Sequence, residues 1–114
     1  MAYDESLAER IREVLAERPD VAERKMFGGL AFLVGGHLAI TASGQGGALV
    51  RVDPATCDAL VARTNAEVAV MRGRPMDGWV RVGPGDLGTR RQLVRWVERA
   101  VAYTGSLPAK RPRR

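Results

Sequence analysis

The sequence predicts an α+β fold of two layers, in which helices cover one face of an antiparallel sheet. Apolar residues recur at helical spacing near both ends of the chain, whereas those in the middle alternate at strand spacing. Gly-Gly pairs and other turn residues separate the alternating stretches, as in a sheet built from hairpins. The predicted order of elements is α-β-β-β-α-β-β-α, which leaves the second face of the sheet without helices.

The first predicted helix spans residues 4 to 18. Its apolar stripe starts with Leu7 and Ile11, and charged residues occupy the other side. We expect the Asp4 side chain to cap the first turn and Pro19 to stop the helix.

Three antiparallel strands are predicted to follow, beginning with one extended stretch from Arg24 to Val34. Gly28-Gly29 interrupts that stretch, and a bulge, a sharp bend or the close approach of another backbone are the alternatives. Gly35-Gly36 predicts a tight hairpin turn. Neither pair opens a helix after a buried strand, so neither is predicted to cradle a phosphate. Three residues of the second strand are expected to share one face: Leu38, Ile40 and Ala42.

The second half of the chain predicts a short helix, a hairpin and a final helix. Asp53-Pro54 is typical of a helix start, and this helix should end near Arg63. Two alternating strands then flank a turn-rich connection, RGRPMDG at 72–78. Thr89 or Asp86 is expected to cap the last helix, which should run to about Tyr103.

The strand pattern predicts an interface on the uncovered face. If the valines at 50, 52, 68, 70, 80 and 82 point to the helices, the pleat turns Leu33, Leu49, Arg51, Met71, Trp79 and Arg81 the other way. Large apolar residues interleaved with Arg are typical of protein interfaces. The predicted interface is therefore Leu33, Leu49, Met71 and Trp79. Alternatively, loops or the C-terminal segment cover this face, or a register shift of one residue places Trp79 in the core.

Composition restricts the classes of protein to consider. With 114 residues, of which 46% are apolar and 27% charged, the chain is expected to form one domain over 1–108, followed by a disordered basic tail at 109–114. One Cys and one His exclude an internal disulfide and the usual zinc cage. No run approaches the roughly 20 apolar residues that span a bilayer. An acidic N-terminus without a signal pattern makes a cytoplasmic location the expectation. No metal or cofactor is predicted.

Basic residues are concentrated in one part of the chain. Residues 1–89 hold ten Arg or Lys against twelve Asp or Glu, whereas residues 90–114 hold eight basic residues and one acidic residue, Glu98. Weak nucleic-acid binding through phosphate contacts is one interpretation, and a solubilising tail is the other. The candidate contacts at this end are Arg90, Arg91, Lys110, Arg111, Arg113 and Arg114, with Arg95 and Arg99 nearby on the same helix.

Two further candidate sites are supported by weaker sequence patterns. Arg72 and Arg74 flank a glycine in the predicted connection and can hold an anion if the hairpin folds over the open face, or they belong to a solvated turn. A catalytic pair of Cys57 and His37 lacks a recognisable third residue. We therefore predict that the protein is not an enzyme.

Three runs of the sequence resemble the N-terminal domain family of the TfoX/Sxy competence regulators. They are RKMFGGLAFLVGGHLAI at 24–40, GRPMDGWVRV at 73–82 and LVRWVERA at 93–100, and the resemblance extends from about Tyr3 to Pro108. It implies an α+β domain similar to secretion-chaperone-like folds and no catalytic residues. Larger members regulate DNA-uptake genes and carry a second, helical domain, so their competence role is not transferred to this chain.

The leading functional hypothesis is a non-enzymatic regulatory or protein-interaction domain that acts through the open face. Its partner is unidentified, and a second copy of the chain is one alternative. The second hypothesis is weak nucleic-acid binding without sequence specificity. The third is an enzyme that holds a small anionic ligand with Arg72 and Arg74.

Overall fold

The computed structural model describes residues 3–26 and 28–108. The predicted basic tail lies outside the described residues, as does Phe27. In chain order, the elements are α1 (Glu5–Val14), β1 (Val21–Met26), β2 (Gly29–Val34), β3 (His37–Ala42), β4 (Ala48–Arg51), α2 (Cys57–Arg63), β5 (Glu67–Met71), β6 (Arg74–Val82) and α3 (Arg90–Gly105).

The six strands form one antiparallel sheet in the order β1-β2-β3-β4-β6-β5. The α+β class and the succession of elements are confirmed. Within that succession, the stretch predicted as continuous from Arg24 to Val34 is divided into the β1–β2 hairpin, so four strands precede α2. The sequence did not reveal two separate strands here, because β1 is an edge strand whose side chains are mostly exposed and therefore do not alternate between apolar and polar.

Gly28 and Gly29 make this hairpin possible in two different ways. Gly28 has a φ of +73°, a left-handed conformation that favours glycine in the turn. A Cβ on Gly29 would overlap the carbonyl oxygen of Ala42 on β3. Of the predicted alternatives, the sharp bend and the close backbone approach are therefore both confirmed. Gly35-Gly36 forms the predicted tight turn, with φ values of +60° and +86°.

The helix ends follow the sequence closely. Asp4 caps α1 by accepting a hydrogen bond of 3.1 Å from the Leu7 amide. The helix ends at Val14 and not at residue 18, since the chain closes into turns in which the Arg18 amide donates to the Leu15 carbonyl. Thr89, not Asp86, caps α3.

One core lies between the sheet and the helices. The side chains of Phe32, Ile40, Val50 and Val80 are fully buried in it, as is Ile11 of α1. It also takes in Cys57 of α2 and a row from α3: Leu93, Trp96, Val97 and Ala100. Because all three of these helices pack on the same core, the opposite face of the sheet carries none of them. We call this side the open face.

The hairpin of β5 and β6 differs from its prediction in two respects. The connection expected at 72–78 is a two-residue turn at Arg72-Gly73, with φ values of +52° and +77°, and the residues after it belong to β6. Val70 was predicted to point to the helices, but it is 57% exposed on β5, which is an edge strand of the sheet. The other predicted inward valines are buried or half-buried.

Candidate protein-binding site on the open sheet face

A widened bulge in β6 shapes the open face. Val68 of β5 pairs with Val80, but Val70 pairs with Pro75, so the segment 76–79 of β6 lies opposite a single β5 residue. Within it, Gly78 has a φ of +85°, which lets the strand bend sharply. The motif GRPMDGWV is therefore a bulged strand, and the bulge brings Met76 to the open face.

Five side chains enclose an apolar pocket on this face: Leu38, Leu49, Met71, Met76 and Trp79. They come from β3, β4, β5 and β6 and contribute no polar surface to the lining. The cavity volume is about 220 Å³. Because ligand and cofactor sites usually have ~300–1,000 Å³, this pocket fits one or two apolar side chains better than a cofactor.

Three of the four predicted interface residues meet in this pocket, namely Leu49, Met71 and Trp79. Leu33 does not line it. It is 9% exposed on β2, where it pairs with Leu38 at the border of the pocket. Trp79 pairs with Arg51 on the open face, so it lies outside the core.

Leu38 and Met76 were not predicted as site residues. Leu38 was expected to face the same side as Ile40, but the register shifts between their partners Phe32 and Leu33, and this irregularity turns Leu38 to the open face. Met76 was assigned to a loop. The available signal for Met76 was an apolar residue three positions before Trp79 with Gly78 between them, because a glycine inside a strand often marks a bulge.

Arg51 fixes the orientation of Trp79. Its guanidinium carbon lies 5.3 Å from the ring centroid of Trp79 and 5.3 Å from that of Tyr103 on α3. A planar cation held between two aromatic rings orders both rings. The sheet pocket is thereby connected to the end of the last helix.

The border of the pocket is basic. Arg81 is a neighbour of Leu49 in the β4–β6 pairing and donates a 3.3 Å hydrogen bond to Ser43. Arg72 and Arg74 are exposed beside Met71, with which Arg74 pairs. Arg51 and Arg81 each have a contact within the chain, with the rings of Trp79 and Tyr103 and with Ser43, respectively. Two carboxylates share this border: Glu67 pairs with Arg81, and Asp77 lies in the bulge next to Met76.

The arginines of α3 divide between two surfaces. Arg95 and Arg99 line a pocket of about 300 Å³ with Arg63, a residue that the sequence did not associate with them. Arg99 lies over the Trp96 ring at 4.5 Å, and burial together with the charge of Arg95 lowers the pKa of Arg99. Arg90 lines a separate groove of about 410 Å³ between α1 and α3. Arg91 is exposed in the first turn of α3, and the four basic tail residues lie outside the described range.

Cys57 and His37 occupy different surroundings. Cys57 is buried in the core under α2, whereas the Nε2 atom of His37 lies 2.6 Å from the Pro108 carbonyl oxygen. Among residues 3–26 and 28–108, no group of three or more His, Cys, Asp or Glu side chains is arranged to hold a metal ion. Within the same ranges, no helix has both the length and the apolar character needed to cross a membrane.

Comparison with protein-family models gives a match for this chain. The model described as the TfoX N-terminal domain matches residues 13–103, which include the β1–β2 hairpin, the bulged β6 and nearly all of α3. Comparison with curated proteins and with solved structures gives no match. The family match covers well over half of the sequence and agrees with the motifs that shape the open face. The chain therefore belongs to the TfoX N-terminal domain family.

Proposed function

We propose that this chain is a non-enzymatic, cytoplasmic regulatory domain that binds a partner protein through the open face. The observation that carries the proposal is the apolar pocket with its basic border. Apolar pockets that accept one anchoring side chain dominate the energetics of many protein interfaces. Membership of a family of regulatory domains supports the same conclusion.

The border suggests the chemistry of the partner. Four arginines neighbour the pocket residues along or across the strands, against the two carboxylates of Glu67 and Asp77: Arg51, Arg72, Arg74 and Arg81. Charges at an interface rim favour complementary partners and set the rate of association. The expected ligand is a segment with a large apolar residue between acidic residues.

Peptide selection by phage display tests this expectation with the full-length protein. We expect enrichment of peptides with Leu, Phe or Trp flanked by Asp or Glu, and binding of a selected peptide should fall at least about tenfold in Trp79→Glu. The matched control is Val70→Lys, which introduces a charge outside the pocket and should leave peptide binding unchanged. Selection without such a pattern, or full binding by Trp79→Glu, would contradict the proposal.

A second candidate function is nucleic-acid binding without sequence specificity. It is favoured by the grouping of Arg63, Arg95 and Arg99, which form no ion pair within the part of the chain that the structure describes. Binding of a labelled duplex should weaken with salt, and deletion of residues 109–114 should reduce the slope of that dependence. A salt dependence that is the same in the truncated chain and in the full chain would rule out phosphate contacts by the tail.

A further inference from the structure

The two edges of the sheet differ in their protection. β1 forms one edge with exposed charges at Glu23, Arg24 and Lys25 in succession. β5 forms the other edge, and over Glu67–Met71 its single charged residue is Glu67. Natural sheet edges are usually blocked by charge, proline or cover, because a bare edge pairs with another strand. The β5 edge lacks the charges that block β1.

Val70 is the clearest sign that the β5 edge is available. It is 57% exposed and is the one large apolar residue in this exposure class among the described residues. Met71 pairs with Arg74 across the two-residue turn, so the backbone groups of Met71 point toward β6, and so do those of Ala69 two residues earlier. Since backbone groups alternate along a strand, those of Val68 and Val70 point away from the sheet.

Charges at the two ends of β5 have opposite sign. Glu67, which pairs with Arg81 of β6, begins the strand; Arg72 follows its end in the turn, and Arg74 begins β6. Two copies of such an edge are complementary when they run antiparallel, because the acidic start of each then meets the basic end of the other. A parallel arrangement would place like charges together.

We propose that β5 pairs antiparallel with β5 of a second copy of this chain, joining two six-stranded sheets across a twofold axis. A twofold axis perpendicular to the sheet keeps equivalent side chains on the same face, so residues of equal parity must pair. Of the registers that meet this condition, the one centred on the middle of β5 pairs Ala69 with the partner's Ala69. It also pairs Val68 with the partner's Val70. Each exposed Val70 then becomes covered, and Glu67 lies beside the partner's turn.

This association goes beyond the proposed function, since it uses the strand edge and leaves the pocket open. Five residues from each copy form a small interface, below the ~1,200 Å² of stable complexes. We therefore expect a reversible dimer with a dissociation constant on the order of 10–100 μM.

Sedimentation equilibrium of the full chain, from about 5 to about 500 μM, tests the proposal directly. The parent protein should shift from monomer to dimer, and Val70→Lys should weaken the dimer at least about tenfold. Trp79→Glu should dimerise like the parent, so loss of peptide binding and loss of dimerisation are separable. A parent chain that stays monomeric, or a Val70→Lys dimer of unchanged affinity, would overturn the proposal.

A charge exchange identifies the second copy and its direction. Glu67→Arg and Arg72→Glu should each dimerise about tenfold more weakly than the parent, because each places like charges at both ends of the pair. An equimolar mixture of the two variants should recover a heterodimer, since both contacts then join opposite charges. A mixture that associates no better than the separate variants would overturn the antiparallel arrangement.

Discussion

The two faces of the sheet are made by the same strands but carry different kinds of side chain. Val80 and Trp79 are neighbours on β6; Val80 is fully buried against the helices, while Trp79 lines a pocket open to solvent. The covered face uses compact residues such as Val50 and Ile40, whereas the open face uses long side chains of Leu, Met and Arg. Compact branched residues fill a fixed core, and flexible ones adapt to a ligand. Under the proposed function, the pleat of the sheet separates the residues that stabilise the fold from those that bind a partner.

The largest expected effect comes from placing the same charge on each face in turn. Val80→Glu buries a carboxylate in the core without a partner, and we expect a loss of more than about 4 kcal/mol of unfolding free energy, enough to unfold the chain. Trp79→Glu places the carboxylate beside Arg51 and solvent, and we expect a loss of less than about 2 kcal/mol. Urea denaturation followed by circular dichroism measures both. Similar losses in the two variants would contradict the difference in burial between the two faces.

A smaller effect is expected where the covered sheet has no room for a side chain. Gly29→Ala introduces a Cβ that overlaps the Ala42 carbonyl oxygen of β3. The β2–β3 pairing must shift, and we expect a loss of about 1–3 kcal/mol in unfolding free energy. Gly85→Ala is the control, because no heavy atom lies within 4 Å of an added Cβ there and its φ is not positive. Equal stability of the two variants would contradict the close approach.

Arg51→Lys should weaken peptide binding to the open face more than it lowers the unfolding free energy. Lysine keeps the charge but loses the planar group between Trp79 and Tyr103, so Trp79 becomes less ordered. We expect less than about 1 kcal/mol of destabilisation and a severalfold weaker affinity for a peptide selected on the parent. Titration calorimetry checks the affinity, and an unchanged value would mean that Trp79 is ordered without this contact.

Local features of this fold could be predicted from the sequence, and long-range ones could not. The caps at Asp4 and Thr89 depend on side chains within a few residues, and the turn at Gly35-Gly36 depends on glycine geometry. The division of β1 from β2 depends on pairing across a hairpin whose outer strand is exposed, so its apolar pattern is weak.

The pocket shows the same limit at the level of the site. Alternation from Trp79 and Leu49 identified three pocket residues, because parity is preserved along a regular strand. An irregularity in pairing separates Leu38 from Ile40, and another separates Met76 from Trp79. Each reverses which face the side chains occupy, and each depends on the partner strand. Arg63 joins Arg95 and Arg99 only because the end of α2 and the helix α3 line the same pocket, for which the sequence holds no local signal.

The smallest expected effect concerns the protected edge of the sheet. Arg12 of α1 donates two hydrogen bonds, of 2.6 and 2.8 Å, to the carboxylate of Glu23 on β1. These bonds lower the pKa of Glu23 from its ordinary value of 4.5, with burial opposing them. A carboxyl whose pKa is lowered by folding contributes stability above its unfolded pKa, and this contribution is lost as the pH falls through the folded pKa.

Stability should therefore fall more steeply between neutral and acid pH in the parent than in Glu23→Gln, which has no carboxyl to protonate. Both groups are partly exposed, so added salt should reduce the difference between the two proteins. Glu17→Gln removes an exposed carboxylate that forms no ion pair within the described ranges, and it should follow the parent curve. Denaturation midpoints measured across this pH range would contradict the assignment if Glu23→Gln and Glu17→Gln gave the same slope. The contact between Arg12 and Glu23 would then make no measurable contribution to holding α1 against the sheet.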